Sequence, residues 1–451
     1  MTRVELSNYR SYIIAISLVL ISLFTFWIRV LPSFAVGNQD ILNFVAMDDP
    51  FYNLRQVEHM LRNFPTYSWF DPMSQYPYGS PVNWGPVMTY IASFVAILLG
   101  ASTRPEIAFA GLITPPLLAA AMVPVMYAIG RIVADWKTGL IASLLIAVVS
   151  GQYFYRSLFG YFDHHIAEAL FSALFALGYI YTLNYVRRHP VDFKRLDTLK
   201  VPAALSVASG ILYLLGLFTM PTMILFALIV AVFTVVQFVV DFWKGRSGDY
   251  LLLTNLLVFS IASIGLAAYG FRASGLSLIS YSFGHIVAYG ALMAATVVLY
   301  ALARFLQGRP KIYYPAAVAA IGVIGAAGIA VLAPAISATL LGGLFQFFGQ
   351  PATALTVQEA QPWSFAGAWY AFNYGLILMV AGIGALLYWN VKEERSDAMF
   401  ALVWSLVILV STIQHVRYEY YLAVNVVLLS AVAIGCILDM GWKDTLSFVR
   451  R

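Results

Sequence analysis

Between two long apolar runs the chain carries Gly160-Tyr161-Phe162-Asp163-His164-His165-Ile166-Ala167-Glu168. Asp163 and His165 stand two residues apart. From an extended segment entering a helix, both could face one cation, because divalent ions accept carboxylate and imidazole together. The competing reading makes Asp163 an ordinary N-cap of the helix that follows. His165 has a similar alternative as a satisfied polar residue. Upstream, Met47-Asp48-Asp49-Pro50 opens a second helical stretch. There Pro50 suits the first helical position and Asp49 could cap it. On these stretches alone, helix cap and metal ligand both stay open.

The elements that must position these residues follow from composition. Of 451 residues, 61% are hydrophobic and 10% charged, against roughly 25% charged in soluble domains. Apolar runs of the length needed to cross a bilayer recur from end to end. Spans are expected at about 11–31, 107–130, 138–156, 165–186, 201–220, 222–241, 251–270, 285–305, 313–334, 366–390, 397–413 and 420–438. The first run follows Arg3 and Arg10 and has no cleavage pattern close behind it, so it reads as a retained anchor. The net charge of +5 is no nucleic-acid signal, since Lys and Arg in such chains serve topology. Cys436 is the single cysteine, which excludes a disulfide framework and a cysteine metal site.

One more apolar run, Val87 to Gly100, is shorter than the ~20 residues a crossing needs. Charge bias decides its role. With that run left out and the N-terminus inside, 19 of the 26 Lys and Arg residues fall on the cytoplasmic side. Arg29, Arg55, Arg62, Arg104, Arg156, Arg272 and Arg417 stay outside. Counting the run as a crossing would send nearly all the inner clusters outward, so 87–100 is expected to be re-entrant or interfacial. Both chain ends are then cytoplasmic. Three segments share the outer face: a loop at about 32–106, the turn holding Asp163, and a loop at about 335–365 with Glu359. The outer acids have no basic sequence neighbours. Near a membrane such carboxylates are costly unless a cation meets them.

Five motifs occur along this frame. Asp49-Pro50-Phe51-Tyr52-Asn53-Leu54-Arg55 comes first, then Trp69-Phe70-Asp71 with Tyr76-Pro77-Tyr78-Gly79, and then Gly160 to His165. Thr356-Val357-Gln358-Glu359 and Arg417-Tyr418-Glu419-Tyr420-Tyr421 follow. In this order they resemble the motifs of the catalytic subunit of oligosaccharyltransferase, and the histidine-containing third motif resembles the archaeal branch. The resemblance covers essentially residues 1–440. It implies an all-α polytopic membrane fold of the GT-C class, with about 12 spans and long first and fifth outer loops. Members usually continue into a thirteenth span and a soluble outer domain with a Trp-Trp-Asp-x-Gly motif. Residues 1–451 are therefore expected to form a single transmembrane catalytic domain, the last span and soluble C-terminal domain being absent or separate.

The resemblance further implies transfer of an oligosaccharide from a dolichyl or polyprenyl phosphate or pyrophosphate to Asn in Asn-x-Ser/Thr. The expected partners are this lipid-linked oligosaccharide, an acceptor polypeptide and membrane lipid. Asp49 and Glu359 match the positions that would engage the acceptor amide. Asp49, Asp163 and His165 would hold a divalent ion, Mn2+ or Mg2+, because the set is oxygen-rich. Arg417 would contact the lipid phosphate; its alternative is an interfacial residue extended toward water. His164, Glu168 and Asp48 are left without a firm role, Glu168 being one turn beyond His164 and able to support it. The aromatics Trp69, Tyr76, Tyr78 and Trp84 read as an interfacial belt. The active site is expected on the extracytoplasmic face, in the cell membrane for an archaeal protein. Two other classes stay open: a polyprenyl-phosphate-dependent glycosyltransferase acting on a lipid or cell-wall acceptor, and a transporter, since intramembrane acids also mark ion pathways.

Overall fold

A computed structural model describes residues 3–35, 40–349 and 356–449. Arg450 and Arg451, and residues 36–39 and 350–355 of the two expected outer loops, lie outside the described residues. Among the described residues the architecture is all-α apart from one two-residue strand pair, Phe70–Asp71 against Ser80–Pro81. This follows from lipid as solvent, where a helix satisfies its own backbone groups. Eleven helices among the described residues are long and apolar enough to cross, from Tyr9–Phe34 to Val416–Gly441.

The expected span at 138–156 differs. Its helix, Trp136–Val148, has 13 residues and ends at Val149, where the backbone turns extended. Gly151 then takes φ 77° and leads into a four-residue helix, Gln152–Tyr155. A Cβ there would lie 2.6 Å from the Glu419 carboxylate, so glycine is needed for both conformation and space. The expected span at 366–390 breaks similarly, into Phe365–Phe372 and Gly375–Glu393, with Asn373 at φ 47° between them. The later outer loop opens with an unforeseen helix, Pro334–Phe348. Pro334 ends the preceding helix because it lacks an N–H, and begins the next for the same reason. The Ala- and Gly-rich helix Tyr313–Leu332 carries small residues that suit close helix packing, yet it buries only Tyr314. Val87–Leu98, with 12 residues, is too short to cross, as the charges require.

Ion pairs sort into two sets. Lys137–Asp439 at 2.5 Å, Lys244–Glu394 at 3.3 Å, Arg187–Asp397 at 3.7 Å and Arg304–Asp249 at 2.6 Å join helix ends on one face. Arg104–Glu58 at 2.8 Å, Arg156–Glu359 at 3.1 Å, Arg417–Glu359 at 3.7 Å and Arg55–Asp71 join elements on the other. Each of these pairs joins residues that charge counting assigns to the same side. Arg417 and Asp439 mark the two ends of one helix, roughly 30 Å apart at 1.5 Å per residue, which is about the hydrocarbon thickness. The shortened helix Trp136–Val148 also joins the faces: Lys137 pairs near its start, and the Ala147 carbonyl accepts from Arg29 near its end. At 13 residues it is shorter than the eleven helices that are long and apolar enough to cross.

Candidate active site and metal centre

The Asp163 turn is built by contacts from three distant segments. Gly160 sits at φ 101°, and a Cβ there would lie 2.3 Å from the Phe44 carbonyl oxygen. Its own carbonyl accepts from Ala46 N at 3.0 Å. The chain entering the first outer loop is thus clamped to the turn, which brings Asp49 beside Asp163. One helical turn later Asn53 Nδ2 donates to the Phe162 carbonyl at 3.3 Å and to Asp163 Oδ1 at 3.2 Å. From the first span, buried Arg29 holds the other side, donating to Ser157 Oγ at 2.7 Å and the Ala147 carbonyl at 2.8 Å.

Neither helix-cap alternative is realised. The helix Asp48–Arg62 starts two residues earlier than expected, with Met47 at φ 67° in the cap position. Asp49 is therefore inside the first turn, where the helix dipole favours an acid, and Pro50 is the third helical residue. The helix His165–Arg188 has His164 in its cap position. Asp163 accepts from the His164 amide at 2.7 Å rather than from the first-turn amides that a cap would serve.

Asp163 is fully buried between two imidazoles. Its Oδ1 is 2.6 Å from His164 Nδ1 and its Oδ2 2.5 Å from His165 Nδ1. The two rings stack at 4.5 Å between centroids and 19° between planes. Their ligand atoms and the carboxylate lie within 4.8 Å of one another. Although the approaches are short, Asp163 Oδ2, all four imidazole nitrogens and Glu168 Oε1 are buried without a hydrogen-bond partner among the described residues. Each such group costs about 1–3 kcal/mol. A cation accepting these lone pairs would remove that cost, so the donor set fits a divalent metal. Burial pushes the Asp163 carboxyl up, but His164 and His165 outweigh it and hold it well below the usual carboxylate range. His164 is moved the opposite way, burial lowering it and Asp163 raising it further.

Asp49 stands exposed beside this cluster. Partial desolvation, then repulsion from Asp163 and Glu359, raise its carboxyl above the ordinary range. Asp49 and the likewise exposed Asp48 both lie outside the metal-ligating cluster found among the described residues, which holds His164 beside the expected Asp163 and His165. Glu168 is buried and 3.2 Å from His164 Nε2. It accepts from Tyr421 at 2.6 Å, Tyr420 at 3.1 Å and Thr222 at 3.4 Å. The Tyr-Tyr pair of the last motif therefore serves Glu168.

Glu359 lies on the turn Gln358–Ala360. Arg156 Nη2 meets it at 3.1 Å and Arg417 Nη1 at 3.7 Å. Glu419 supports the arrangement, accepting from Gln152 N and Trp363 Nε1, each at 2.8 Å. The absence of basic neighbours around the outer acids is thus a property of the sequence only, because Glu359 and Asp71 find arginines in space. Arg156 was counted as an outer charge and given no role; its one signal was an arginine four residues before Gly160 in a segment of few charges. His164, which has no assigned role in the sequence reading, lies against Asp163 Oδ1 within the cluster. The expected aromatic belt divides: Tyr76 and Tyr78 are 77% and 87% exposed, whereas Trp84 stacks on His164 at 6.1 Å and 13°. Trp69 packs edge-on against Tyr67, Tyr269 and Tyr281 with Arg272 over its face. Asp71 of the second motif orients Arg55 and accepts from Met73 N at 2.9 Å and Ser74 Oγ at 2.7 Å, which makes it a loop-building residue.

Known proteins share this framework. The chain is 29% identical over 412 residues to dolichyl-phosphooligosaccharide-protein glycotransferase 3 of Archaeoglobus fulgidus, covering 87% of this chain and 46% of that protein. It is 25% identical over 495 residues to dolichyl-monophosphooligosaccharide–protein glycotransferase AglB of Haloferax volcanii, covering 90% and 46%. The chain thus spans about half the length of the curated relatives it matches. Among solved structures, A. fulgidus AglB in complex with an inhibitory peptide and a dolichol-phosphate superposes with a TM-score of 0.85 at 23% identity. That match covers 98% of this chain and 52% of the other. The A. fulgidus oligosaccharyltransferase complexed with zinc and sulfate superposes at 0.74 and 23% identity, covering 94% and 49%. At this identity the superpositions establish the fold. The family model for the N-terminal part of oligosaccharyl transferase STT3 matches residues 12–435, nearly the whole membrane frame and every motif in it, and the chain belongs to the STT3 family.

Proposed function

We propose that this chain is the membrane catalytic part of an oligosaccharyltransferase. It would transfer an oligosaccharide from a dolichyl or polyprenyl phosphate carrier to Asn in Asn-x-Ser/Thr. The observation that carries the reading is the set of buried, unpartnered ligand atoms on Asp163, His164, His165 and Glu168, set beside Asp49 on the face that also holds Glu359. Family membership and the curated relatives' names support the reaction class. The positive-inside assignment supports an extracytoplasmic active site on a multi-pass membrane protein, and the archaeal sources of the curated relatives support the cell membrane.

An amide nitrogen is a poor nucleophile because its lone pair is delocalised into the carbonyl. Asp49 and Glu359 would accept hydrogen bonds from its two N–H groups and favour a localised lone pair. Arg156 and Arg417 hold the Glu359 carboxylate in place for this, and Arg417 can also turn a guanidinium edge to the carrier phosphate. Asp49, Asp163 and His165 would hold the divalent ion, with His164 positioned on the other edge of Asp163. The two imidazoles favour Mn2+ over Mg2+. When bound, such an ion supplies Lewis acidity and neutralises charge on the departing phosphate. Glu168 keeps His164 oriented, as outer partners of ligating imidazoles do.

The test is transfer from lipid-linked oligosaccharide to a labelled Asn-x-Thr peptide by the chain in membranes, with and without chelator. Transfer should stop in excess chelator, return with Mn2+, and be absent in Asp163→Ala. Unchanged transfer in chelator removes the metal from the reading. Glycan found on a non-peptide acceptor, with the peptide untouched, replaces the acceptor class.

A further inference from the structure

At the face opposite the candidate active site, a cavity of about 390 Å³ opens between helix ends. This is within the ~300–1,000 Å³ usual for small-ligand clefts. Arg246, Arg304, Arg309 and Lys311 line it, together with Tyr300 and Phe242. Three membrane helices meet here: Ile224–Trp243 and Phe283–Phe305 end at it, and Asp249–Tyr269 begins beside it.

An excess of positive charge on this side is expected from topology alone, so charge by itself assigns nothing. The arrangement adds more. Arg304 is engaged by Asp249 at 2.6 Å and by Tyr300 at 3.1 Å. Arg246 is within 3.3 Å of Asp241 and 3.6 Å of Glu394, and Glu394 is shared with Lys244. Even so, the Arg246 Nε and Nη2 atoms are buried without a hydrogen-bond acceptor among the described residues. Arg246 also lines a neighbouring cavity of about 220 Å³ with Arg187 and Tyr250, so its guanidinium faces open space on two sides. Arg309 and Lys311 are exposed and form no ion pair among the described residues. Four cations thus line the cavity, and the acids in contact reach only Arg246 and Arg304.

Apolar surface continues from the cavity. Val297 and Val298 of the helix that ends there are 44% and 45% exposed, and Trp243 and Phe305 at the same helix ends are 49% and 83% exposed. Aromatics at a helix end mark headgroup depth, and exposed valines along the span offer a surface to acyl chains. We infer that this cavity binds the phosphate of an anionic lipid headgroup, with half-buried Arg246 as the inner contact and Arg309 and Lys311 as the outer ones. Basic pockets between membrane helices serve this purpose in general. The inference is independent of the transfer reaction.

The test uses the full chain in detergent, titrated separately with phosphatidylglycerol, phosphatidylcholine and inorganic phosphate, bound ligand being counted by native mass spectrometry. Phosphatidylglycerol should be retained over phosphatidylcholine. The double variant Arg309→Gln/Lys311→Gln, which alters only exposed side chains, should bind it about tenfold more weakly or worse, given the contribution of each basic residue near a charged membrane surface. Arg246→Gln should weaken it again, with helix content by circular dichroism and metal content unchanged. Equal retention of the two lipids, or undiminished phosphatidylglycerol binding in both variants, overturns the proposal. Inorganic phosphate binding as tightly as the lipid would assign the cavity to a soluble phosphate and overturn the lipid headgroup.

Discussion

Replacing Gly160 with alanine should disable the candidate metal centre without touching any of its ligands. The residue has φ 101°, a region that costs an L-residue about 1–3 kcal/mol. An added Cβ would sit 2.3 Å from the Phe44 carbonyl oxygen, which is backbone and has no rotamer to change. Restoring an ordinary carbon–oxygen contact requires the two strands of chain to part by roughly 1 Å. That separation sacrifices the hydrogen bond from Ala46 N to the Gly160 carbonyl, worth about 0.5–1.5 kcal/mol. The expected loss of stability is about 2–4 kcal/mol from these two contributions. The functional loss should be larger, because Asp49 and Asp163 are carried on the two segments being pushed apart, and a displacement of ~1 Å can cost about 100-fold in rate. Metal content of the purified protein, its unfolding midpoint in detergent and its peptide transfer rate give three readouts. Gly270→Ala is the control: it shares a φ of 91° but has nothing within 4 Å of the added Cβ, so it should show the strain alone and keep its metal. A Gly160→Ala protein with normal metal content and transfer would refute the clamp between the two acidic segments.

Asp163→Asn and His165→Ala should each lower metal retention at least tenfold while leaving helix content intact, as measured by elemental analysis and circular dichroism. Because the Asp49 carboxyl is raised by partial desolvation and by Asp163 and Glu359, metal affinity should fall on acidification at a higher pH than an ordinary carboxylate would give. Asp49→Asn should abolish this acidic limb in a titration of metal binding against pH. Without metal the sign reverses: protonated Asp49 suits the fold, and stability should decline as pH rises from the ordinary carboxylate range through the raised value, a trend that added metal removes. Glu168→Gln should keep acceptor capacity for Tyr420 and Tyr421 but weaken its hold on His164, lowering metal affinity about 10- to 100-fold. Arg156→Lys should preserve charge and metal content yet loosen the Glu359 turn, so a rise in KM for peptide with unchanged metal content is the expected result.

The membrane frame was legible in the sequence because lipid imposes local rules: about twenty apolar residues per crossing and cations held on one side. Those rules located the spans, kept 87–100 from crossing and put Asp49, Asp163, Glu359 and Arg417 on one face. Ordered motifs then pointed to the family. Local rules failed where backbone conformation departs from the helix: Gly151 and Asn373 interrupt two expected spans, and Met47 moves Asp49 out of the cap position. Which side chains meet could not be read at all. Arg156 reaches Glu359 across 203 residues, and Tyr420 and Tyr421 reach Glu168 across more than 250. No sequence period encodes such separations. The residue types of a metal-dependent site were therefore present in the sequence. That Asp163 lies between two imidazoles, with six ligand atoms left unsatisfied, was decided only when distant helices excluded water from that turn.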